Sequence, residues 1–342
     1  MGFLKKRLSL IKLQSLMLCV ILAASLFTFT GCQGNVQNNG KINIVCTTYP
    51  QYNWIQNIIG EESEEFNLTL LVDGGADLHS YQPSAKDMAK ISSADMFVYV
   101  GGSSDAWVFD AVRETVNKNM KKVNMMELLG DRAKEEEVVE GMQDDEHGHS
   151  HTASEDSHGE HEETDEIEYD EHIWTSLENA QLLVSAIEEI FCEADPEHEK
   201  QFRDNAAAYR EQIADVQSEI EEIVDNARVK KILFADRFPF LYFTQEFGLD
   251  YDAAFAGCAG DTEPSARVIA SLIEEIQSEN IKAIYHVEMG NTKTAQMIQE
   301  ATGVEILELH SCHTVTSKQL QEGVTYVELM RQNAENLKKG LQ

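Results

Sequence analysis

Short β-rich apolar runs alternate with helical patterns in both halves of the chain. In the first half the predicted strands are residues 42–46, 66–72 and 96–100, and the predicted helices are 51–59, 84–91 and 106–119. In the second half the predicted strands are residues 232–235, 251–255, 281–287 and 304–309, and the predicted helices are 238–247, 265–278, 292–301 and 318–337. Strands that alternate with helices at this spacing predict βαβ units and parallel sheets.

A different apolar pattern lies between the two halves. Apolar residues recur there at spacings of four and three, namely Phe202, Ala206, Tyr209, Ile213, Val216, Ile220 and Ile223. This period predicts one long helix over residues 196–227, about 48 Å long at 1.5 Å per residue. We interpret it as a rigid helix packed across both lobes; the alternative is a coiled-coil surface for a partner. A shorter amphipathic helix is predicted just before it, over residues 176–191, with Ser176 as its N-cap.

The N-terminus has the features of a targeting segment. Basic residues precede an apolar stretch at residues 16–29, which is shorter than the roughly 20 residues that a membrane span needs. The stretch leads into Phe29-Thr30-Gly31-Cys32, which resembles a bacterial lipobox. We therefore predict a lipoprotein signal peptide over residues 1–31 and lipidation of Cys32. The alternative is an ordinary secretory signal followed by a chance cysteine.

Charge and cysteine content narrow the function classes. The formal net charge of −33 excludes a general nucleic-acid binder, which needs a basic face, and favours attraction of cations. No C-x-x-C spacing is present, which argues against a structural zinc knuckle. Cys258 and Cys312 both follow predicted strands, and we expect them to form a disulfide in an exported protein. The alternative is that they are reduced and bind a soft metal.

An acidic, histidine-rich segment interrupts the chain before the predicted helix at 176–191. It holds five of the 11 histidines of the chain, namely His147, His149, His151, His158 and His161. Such a sequence cannot bury a core, so we expect a solvated loop. Imidazole binds zinc, copper and nickel, and the segment therefore indicates a metal-handling protein with an accessory, low-affinity metal loop. The alternative is an acidic linker without a metal role.

Three other histidines, His79, His172 and His310, stand next to predicted strand or helix ends. In open α/β sheets, ligands bind beyond the carboxyl ends of the strands. A single histidine in such a place is more often a hydrogen-bonded surface or core residue. Three of them in corresponding places, in a chain with a histidine-rich loop, predict a metal site.

Several motifs resemble those of the cluster A substrate-binding lipoproteins of bacterial zinc and manganese ABC transporters. Residues 77–84 read D-L-H-S-Y-Q-P-S, similar to the family motif D-P-H-x-Y-x-P-[ST], and residues 170–174 read D-E-H-I-W, similar to D-P-H-x-W. Residues 47–50 (T-T-Y-P) and 263–265 (E-P-S) are similar to the family's opening and second-lobe entry. The resemblance implies two α/β lobes bridged by a long helix, with the metal between them, and a permease and an ATPase as partners.

Two positions depart from the family's ligand set. The family's third ligand, His or Glu, corresponds to Arg237, which stays protonated and cannot coordinate a metal. Its neighbour Asp236 is a candidate substitute, or Arg237 pairs with Glu263 or Glu288. The family's fourth ligand, an aspartate, corresponds to His310.

The resemblance with these departures implies a site of His79, His172 and His310. Asp236, His313 and His286 are the candidate fourth ligands. Asp77, Asp105 and Asp170 are candidates for orienting the ligand rings. An all-nitrogen bias favours zinc over manganese, which prefers oxygen ligands.

The predicted fold class is α/β, with two lobes, each with a parallel-rich sheet and flanking helices, joined by one long rigid helix. The predicted segments are a signal peptide at 1–31, a tether at 32–40, an N-terminal lobe at 41–175 that includes the acidic loop 131–171, helices at 176–228, and a C-terminal lobe at 229–342. We predict a monomeric, extracytoplasmic, membrane-anchored receptor that captures Zn2+ for an ABC importer and is not an enzyme. The alternatives are a manganese or iron receptor of the same family, a surface metal buffer or adhesin, and a zinc hydrolase. Against the hydrolase, the chain lacks H-E-x-x-H and G-x-S-x-G motifs.

Overall fold

Two parallel sheets with the same strand order form the framework of the protein. A computed structural model describes residues 40–60, 63–113, 115–139, 142–143, 168–259 and 263–342. The strands of the first sheet are β1 (Ile42–Cys46), β2 (Phe66–Leu70), β3 (Met96–Tyr99) and β4 (Lys121–Asn124), in the order β2-β1-β3-β4. Those of the second are β5 (Lys231–Phe238), β6 (Asp250–Ala256), β7 (Ala283–Val287) and β8 (Glu305–Leu309), in the order β6-β5-β7-β8. All the pairs in these sheets are parallel, as the alternating pattern predicted.

Helices flank the sheets and connect the strands. In the first lobe these are α1 (Tyr49–Ile59), α2 (Ala85–Ser92), α3 (Val108–Arg113) and α4 (Met125–Leu129). In the second lobe they are α7 (Leu241–Phe247), α8 (Ala266–Glu279), α9 (Lys293–Thr302), α10 (Ser317–Glu322) and α11 (Tyr326–Leu341). Between the lobes lie α5 (Leu177–Ala194) and the long α6 (Glu199–Asp225). The two-lobe α/β fold with a long connecting helix is therefore confirmed.

Two predicted helices differ from the observed ones. The helix predicted at 106–119 is shorter, ends at Arg113, and is followed by β4 and α4. Of the residues in β4 only Val123 is buried, because β4 is an edge strand with one paired side, and its apolar pattern is correspondingly weak. The helix predicted at 318–337 is broken at Gly323, whose φ of 72° is left-handed and ends α10.

The long helix α6 buries its apolar stripe against both lobes. All seven residues of the predicted stripe are buried, and the helix packs on α1, α5 and α11. The Tyr209 hydroxyl donates a 2.9 Å hydrogen bond to the Asn53 side chain on α1. The stripe is therefore an internal packing surface, as interpreted from its spacing.

One continuous apolar core runs through both lobes. Trp54 of α1 meets Tyr326 of α11 edge-on, with 5.5 Å between ring centroids. The Tyr326 hydroxyl donates to the carbonyl of Trp174 at 2.6 Å, and the Trp174 indole N–H donates to the carbonyl of Ser311 at 2.7 Å. These contacts hold the carboxyl ends of the two sheets next to each other, where the candidate site lies.

Candidate metal centre

Two histidine rings from separate loops meet where the lobes join. His79 lies in the loop between β2 and α2, and His172 lies just before α5. Their Nε2 atoms are 3.1 Å apart. Zinc bonds of 2.0–2.1 Å in a tetrahedral arrangement place two nitrogens about 3.3 Å apart, so these two atoms can bind one ion together.

The ring of His172 is oriented by a carboxylate. Asp170 Oδ1 accepts hydrogen bonds from the His172 backbone N–H at 2.7 Å and from ring Nδ1 at 3.1 Å. Burial lowers the pKa of His172, but the charge and hydrogen bond of Asp170 outweigh it, so the net pKa is raised. When the ring is neutral, Asp170 favours the tautomer with the proton on Nδ1, and that form presents the Nε2 lone pair to the site.

His79 is held by a neutral partner on its ring. Its backbone N–H donates to Asp77 Oδ1 at 2.8 Å, and its Nδ1 lies 2.8 Å from the Ser104 hydroxyl. Burial, together with the nearby His172 and Arg237, lowers the pKa of His79 well below its usual value. The ring is therefore neutral at pH 7, which is the form that binds a metal.

Arg237 contributes a charge to the site, as a guanidinium. It lies near the carboxyl end of β5, beyond a shift in the β5–β6 register between Phe234 and Arg237. Its Nη2 donates to Asp77 Oδ2, whereas Glu263 and Glu288 were the predicted partners. This contact lowers the pKa of Asp77 despite partial burial. Arg237 thus links the second lobe to the loop that carries His79.

His310 does not join the other two predicted ligands. Its ring is buried, and Nδ1 accepts a 3.0 Å hydrogen bond from the backbone N–H of Cys312. Its Nε2 is buried without a hydrogen-bond partner. Among the described residues, the ligand atom that groups with His79 and His172 is the thiol of Cys258, with all three atoms within 4.8 Å of one another. The expected three-histidine arrangement is therefore not formed.

Two of the candidate fourth ligands, Asp236 and His313, line one cavity of about 440 Å³ together with Asp77 and Arg237. His313 has its polar partners within the second lobe. Its Nδ1 lies 2.6 Å from the Ser311 hydroxyl and 3.3 Å from Glu288 Oε1. Burial lowers the pKa of His313 to about 4, although Glu288 opposes the shift. Its ring is therefore neutral, with Nδ1 occupied by a polar partner.

The other two candidates have different surroundings. Asp236 Oδ2 accepts a 3.1 Å hydrogen bond from the Val287 N–H, while Oδ1 is buried with no partner. Burial raises the pKa of Asp236 to about 7. His286 Nδ1 lies 2.9 Å from the Val287 carbonyl oxygen, and His286 is not among the residues that line the cavity. None of the three candidate fourth ligands groups with the His79 and His172 nitrogens among the described side chains.

Two further predictions about supporting residues were wrong. Cys258 and Cys312 are both free thiols, and Cys312 instead lies 3.8 Å from the sulfur of Met330. Asp105 accepts hydrogen bonds from the backbone N–H groups of Val100 and Gly101, rather than from a histidine ring. Its role is to hold the turn after β3, next to Ser104.

Several predicted features lie outside the described residues. These are the signal peptide, Cys32 and the histidine-rich segment with His147, His149, His151, His158 and His161. In the described part of the chain, none of the helices combines the length and the apolar character that crossing a membrane requires.

Comparisons with known proteins agree with the two-lobe architecture. A family profile described as "ZnuA: Zinc-uptake complex component A periplasmic" matches residues 44–340. The zinc-binding lipoprotein AdcA of Streptococcus pneumoniae strain R6 is 30% identical over 308 residues, which cover 90% of this chain but 57% of AdcA. The high-affinity zinc uptake system protein ZnuA of Bacillus subtilis is 26% identical over 327 residues, covering 94% of this chain and 96% of that protein.

A solved structure extends the similarity to three dimensions. The Zn(II)-bound ZnuA-like domain of Streptococcus pneumoniae AdcA matches with a TM-score of 0.67 and 27% identity, over 88% of this chain and 99% of that one. The chain thus spans a little more than half of AdcA, corresponding to its ZnuA-like domain, and nearly all of the Bacillus subtilis protein.

Proposed function

Because the chain belongs to the ZnuA family, we propose that it captures Zn2+ outside the cytoplasmic membrane and delivers it to an ABC importer. The observation that carries this proposal is the pair of imidazole Nε2 atoms 3.1 Å apart at the junction of the lobes. Two imidazole nitrogen ligands suit zinc better than manganese. The permease and the ATPase of the importer are the proposed partners.

The proposed ligands are His79 and His172, with His313 the best placed of the remaining histidines. The site lies between lobes that share one core and a long packed helix. A shared core opposes a wide separation of the lobes, so release of the ion would depend on limited movement. The proposal includes a lipid anchor at Cys32, a monomeric state, and an accessory role for the acidic histidine-rich segment.

Zinc titration of the purified protein tests the ligand assignment. The wild type is expected to bind one tight equivalent of Zn2+, and the double variant His79→Ala, His172→Ala is expected to lose it. His286→Ala is the matched control, because it removes a histidine whose ring bonds to a backbone carbonyl. Unchanged tight binding in the double variant would refute the proposal.

A deletion separates a receptor from a metal buffer. Removal of residues 144–163 takes out the five histidines of the acidic segment. A receptor keeps its tight equivalent and continues to support zinc uptake in cells that depend on it. Loss of the tight equivalent on deletion would show that the segment, and not the histidine pair, is the functional part.

A further inference from the structure

Cys258 lies at the site, although the sequence favoured a disulfide over a metal-binding thiol for this residue. It follows β6 by two residues, at the carboxyl end of the second sheet. Its Sγ lies within 4.8 Å of a ring nitrogen of both His79 and His172. Thus the second lobe places a thiol beside the two imidazoles of the first lobe.

The loop that carries Cys258 is fixed close to the His172 ring. A Cβ at Gly257 would lie 2.8 Å from the Phe238 carbonyl oxygen and 3.3 Å from the His172 ring, so only glycine allows this approach. On the other side, the Cys258 backbone N–H donates a 2.8 Å hydrogen bond to Glu136 Oε1. Both contacts hold the thiol against the histidine pair, which indicates a built site.

Cys258 is not held in a disulfide, and the family's third ligand position offers no ligand in its place. Cys258 is free, and the expected disulfide partner Cys312 is fully buried beside Met330. The family's third ligand position is held by Arg237, which stays protonated and hydrogen-bonds Asp77. A ligand from the second lobe is therefore missing at Arg237. Among the described residues, the Cys258 thiol is the second-lobe atom that groups with the two imidazoles, whereas His313 does not group with them.

We propose that Cys258 is the third protein ligand, so that the site is two imidazoles and one thiolate. This inference rests on the proposed function. On binding, the thiol proton passes to solvent as the sulfur–metal bond forms, and an imidazole that carries a second proton releases it as well. The three ligand atoms now lie within 4.8 Å of one another. Zinc bonds are about 2.3 Å to sulfur and 2.0–2.1 Å to nitrogen, so the three atoms must move closer together when the ion binds. A thiolate favours soft ions, so the site binds Zn2+ and Cd2+ in preference to Mn2+.

Cobalt substitution tests this ligand directly. Protein loaded with Co2+ is expected to show a near-ultraviolet sulfur-to-cobalt charge-transfer band in the wild type. The band should disappear in Cys258→Ser, and Zn2+ affinity should fall at least about tenfold, as expected for loss of a ligand. Cys192→Ser is the matched control, because Cys192 is on α5, where its Sγ contacts the Glu199 carbonyl oxygen. It should keep both the band and the affinity.

A second measurement needs no variant and covers the case in which Cys258→Ser fails to fold. Zinc is expected to protect Cys258 from alkylation in the wild type, as mapped by mass spectrometry. Absence of both the charge-transfer band and this protection, in a protein that still binds zinc through His79 and His172, would overturn the thiolate ligand and leave the proposed function intact. Failure of the proposed function looks different, because the wild type would then bind no tight zinc, or the double histidine variant would bind it equally.

Discussion

The carboxyl ends of the two sheets share a topology but differ in how their polar side chains are hydrogen-bonded. Both sheets have the same relative strand order. At the first sheet, the imidazoles of His79 and His172 have their outer nitrogens bonded to protein and their inner nitrogens facing each other. At the second sheet, charged groups such as Glu288 are satisfied by neighbours of the same lobe. The fold therefore supplies the location, whereas the outer partner of each side chain decides whether it is available to a metal.

Two carboxylates of the second lobe show this difference, namely Asp236 in β5 and Glu288 just after β7. Glu288 accepts hydrogen bonds from the Ser311 N–H at 2.7 Å and the Ser311 hydroxyl at 2.5 Å. Burial would raise the pKa of Glu288, but His310, His313 and these hydrogen bonds lower it overall. Asp236, with one oxygen unpartnered, has its pKa raised to about 7 by burial. One carboxylate is thus stabilised as an anion and the other is not.

The largest expected effect is a pH-dependent gain in stability for Asp236→Asn. The pKa of Asp236 rises from 3.8 to about 7 on folding, so the folded protein binds more protons than the unfolded chain between these pH values. Its contribution to the free energy of unfolding therefore falls as pH rises from 4 to 7. At 1.36 kcal/mol per pKa unit, removing the charge should stabilise the protein by up to about 4 kcal/mol at pH 8. Denaturant unfolding at pH 4 and pH 8 measures the difference.

Glu288→Gln is the matched control, with the opposite sign. Because the folded-state pKa of Glu288 is lowered, its charge stabilises the protein above the unfolded pKa, and that contribution is lost as pH falls. The variant should be less stable than the wild type at pH 8. If Asp236→Asn instead destabilises the protein at pH 8 as Glu288→Gln does, the contrast between the two carboxylates is wrong.

Much of the fold was predictable from the sequence because its signals are local. The long helix follows from seven apolar residues at helical spacing, all of which are buried. Strand β4 could not be predicted, because an edge strand with one buried residue has little apolar pattern. The break at Gly323 was also missed, since a single glycine within a helical pattern is compatible with either outcome.

The site was less predictable because it depends on which loops meet. The motifs around His79 and His172 indicated those residues, and the structure brings their rings together. His310 was assigned by its place after β8. The chain turns there through Cys312, whose φ of 68° is left-handed, and the His310 ring accepts the Cys312 N–H. For Cys258 the sequence favoured a disulfide, and Ser104 had no local signal, because the positions of both residues relative to the histidines arise from tertiary packing.

The next largest effect concerns the carboxylate behind His172. Asp170→Asn keeps an oxygen that can accept the two hydrogen bonds but removes the negative charge that supports the ring. Loss of such a partner typically costs 10–100-fold in metal affinity, so we expect a fall of about tenfold. Competition with a chromogenic zinc chelator measures it. Affinity equal to that of the wild type would mean that the Asp170 charge does not support the ligand.

A smaller effect, on the free energy of unfolding, is expected for the contact between Arg237 and Asp77 at the junction of the two sheets. Arg237 of β5 hydrogen-bonds Asp77, whose other oxygen accepts the His79 backbone N–H. Arg237→Lys keeps the charge and loses the planar fork, so the free energy of unfolding should fall by about 1 kcal/mol. A double-mutant cycle with Asp77→Asn checks the coupling. Strictly additive effects would show that this contact does not join the lobes energetically.

The smallest effect on Zn2+ affinity is expected for the Ser104 hydroxyl, which is the neutral partner of the His79 ring. Ser104→Ala removes the hydroxyl 2.8 Å from His79 Nδ1 but keeps the backbone N–H that donates to Glu171 at 2.7 Å. A hydrogen bond between neutral groups contributes about 0.5–1.5 kcal/mol, so Zn2+ affinity should fall by roughly 2–10-fold. Ser103→Ala is the control, because the Ser103 hydroxyl also bonds Glu171 but does not bond His79.

The same chelator competition measures the Zn2+ affinity of both serine variants. It also compares the contribution of Asp170, the partner of His172, with that of Ser104, the partner of His79. A carboxylate acceptor forms a stronger hydrogen bond than a neutral hydroxyl, so Asp170→Asn should cost more affinity than Ser104→Ala. If Ser103→Ala and Ser104→Ala have equal effects, the loss comes from the shared loop and not from the His79 ring. If Ser104→Ala costs as much as Asp170→Asn, the two imidazoles are equally supported, and the charge behind His172 has no special role in holding the ion.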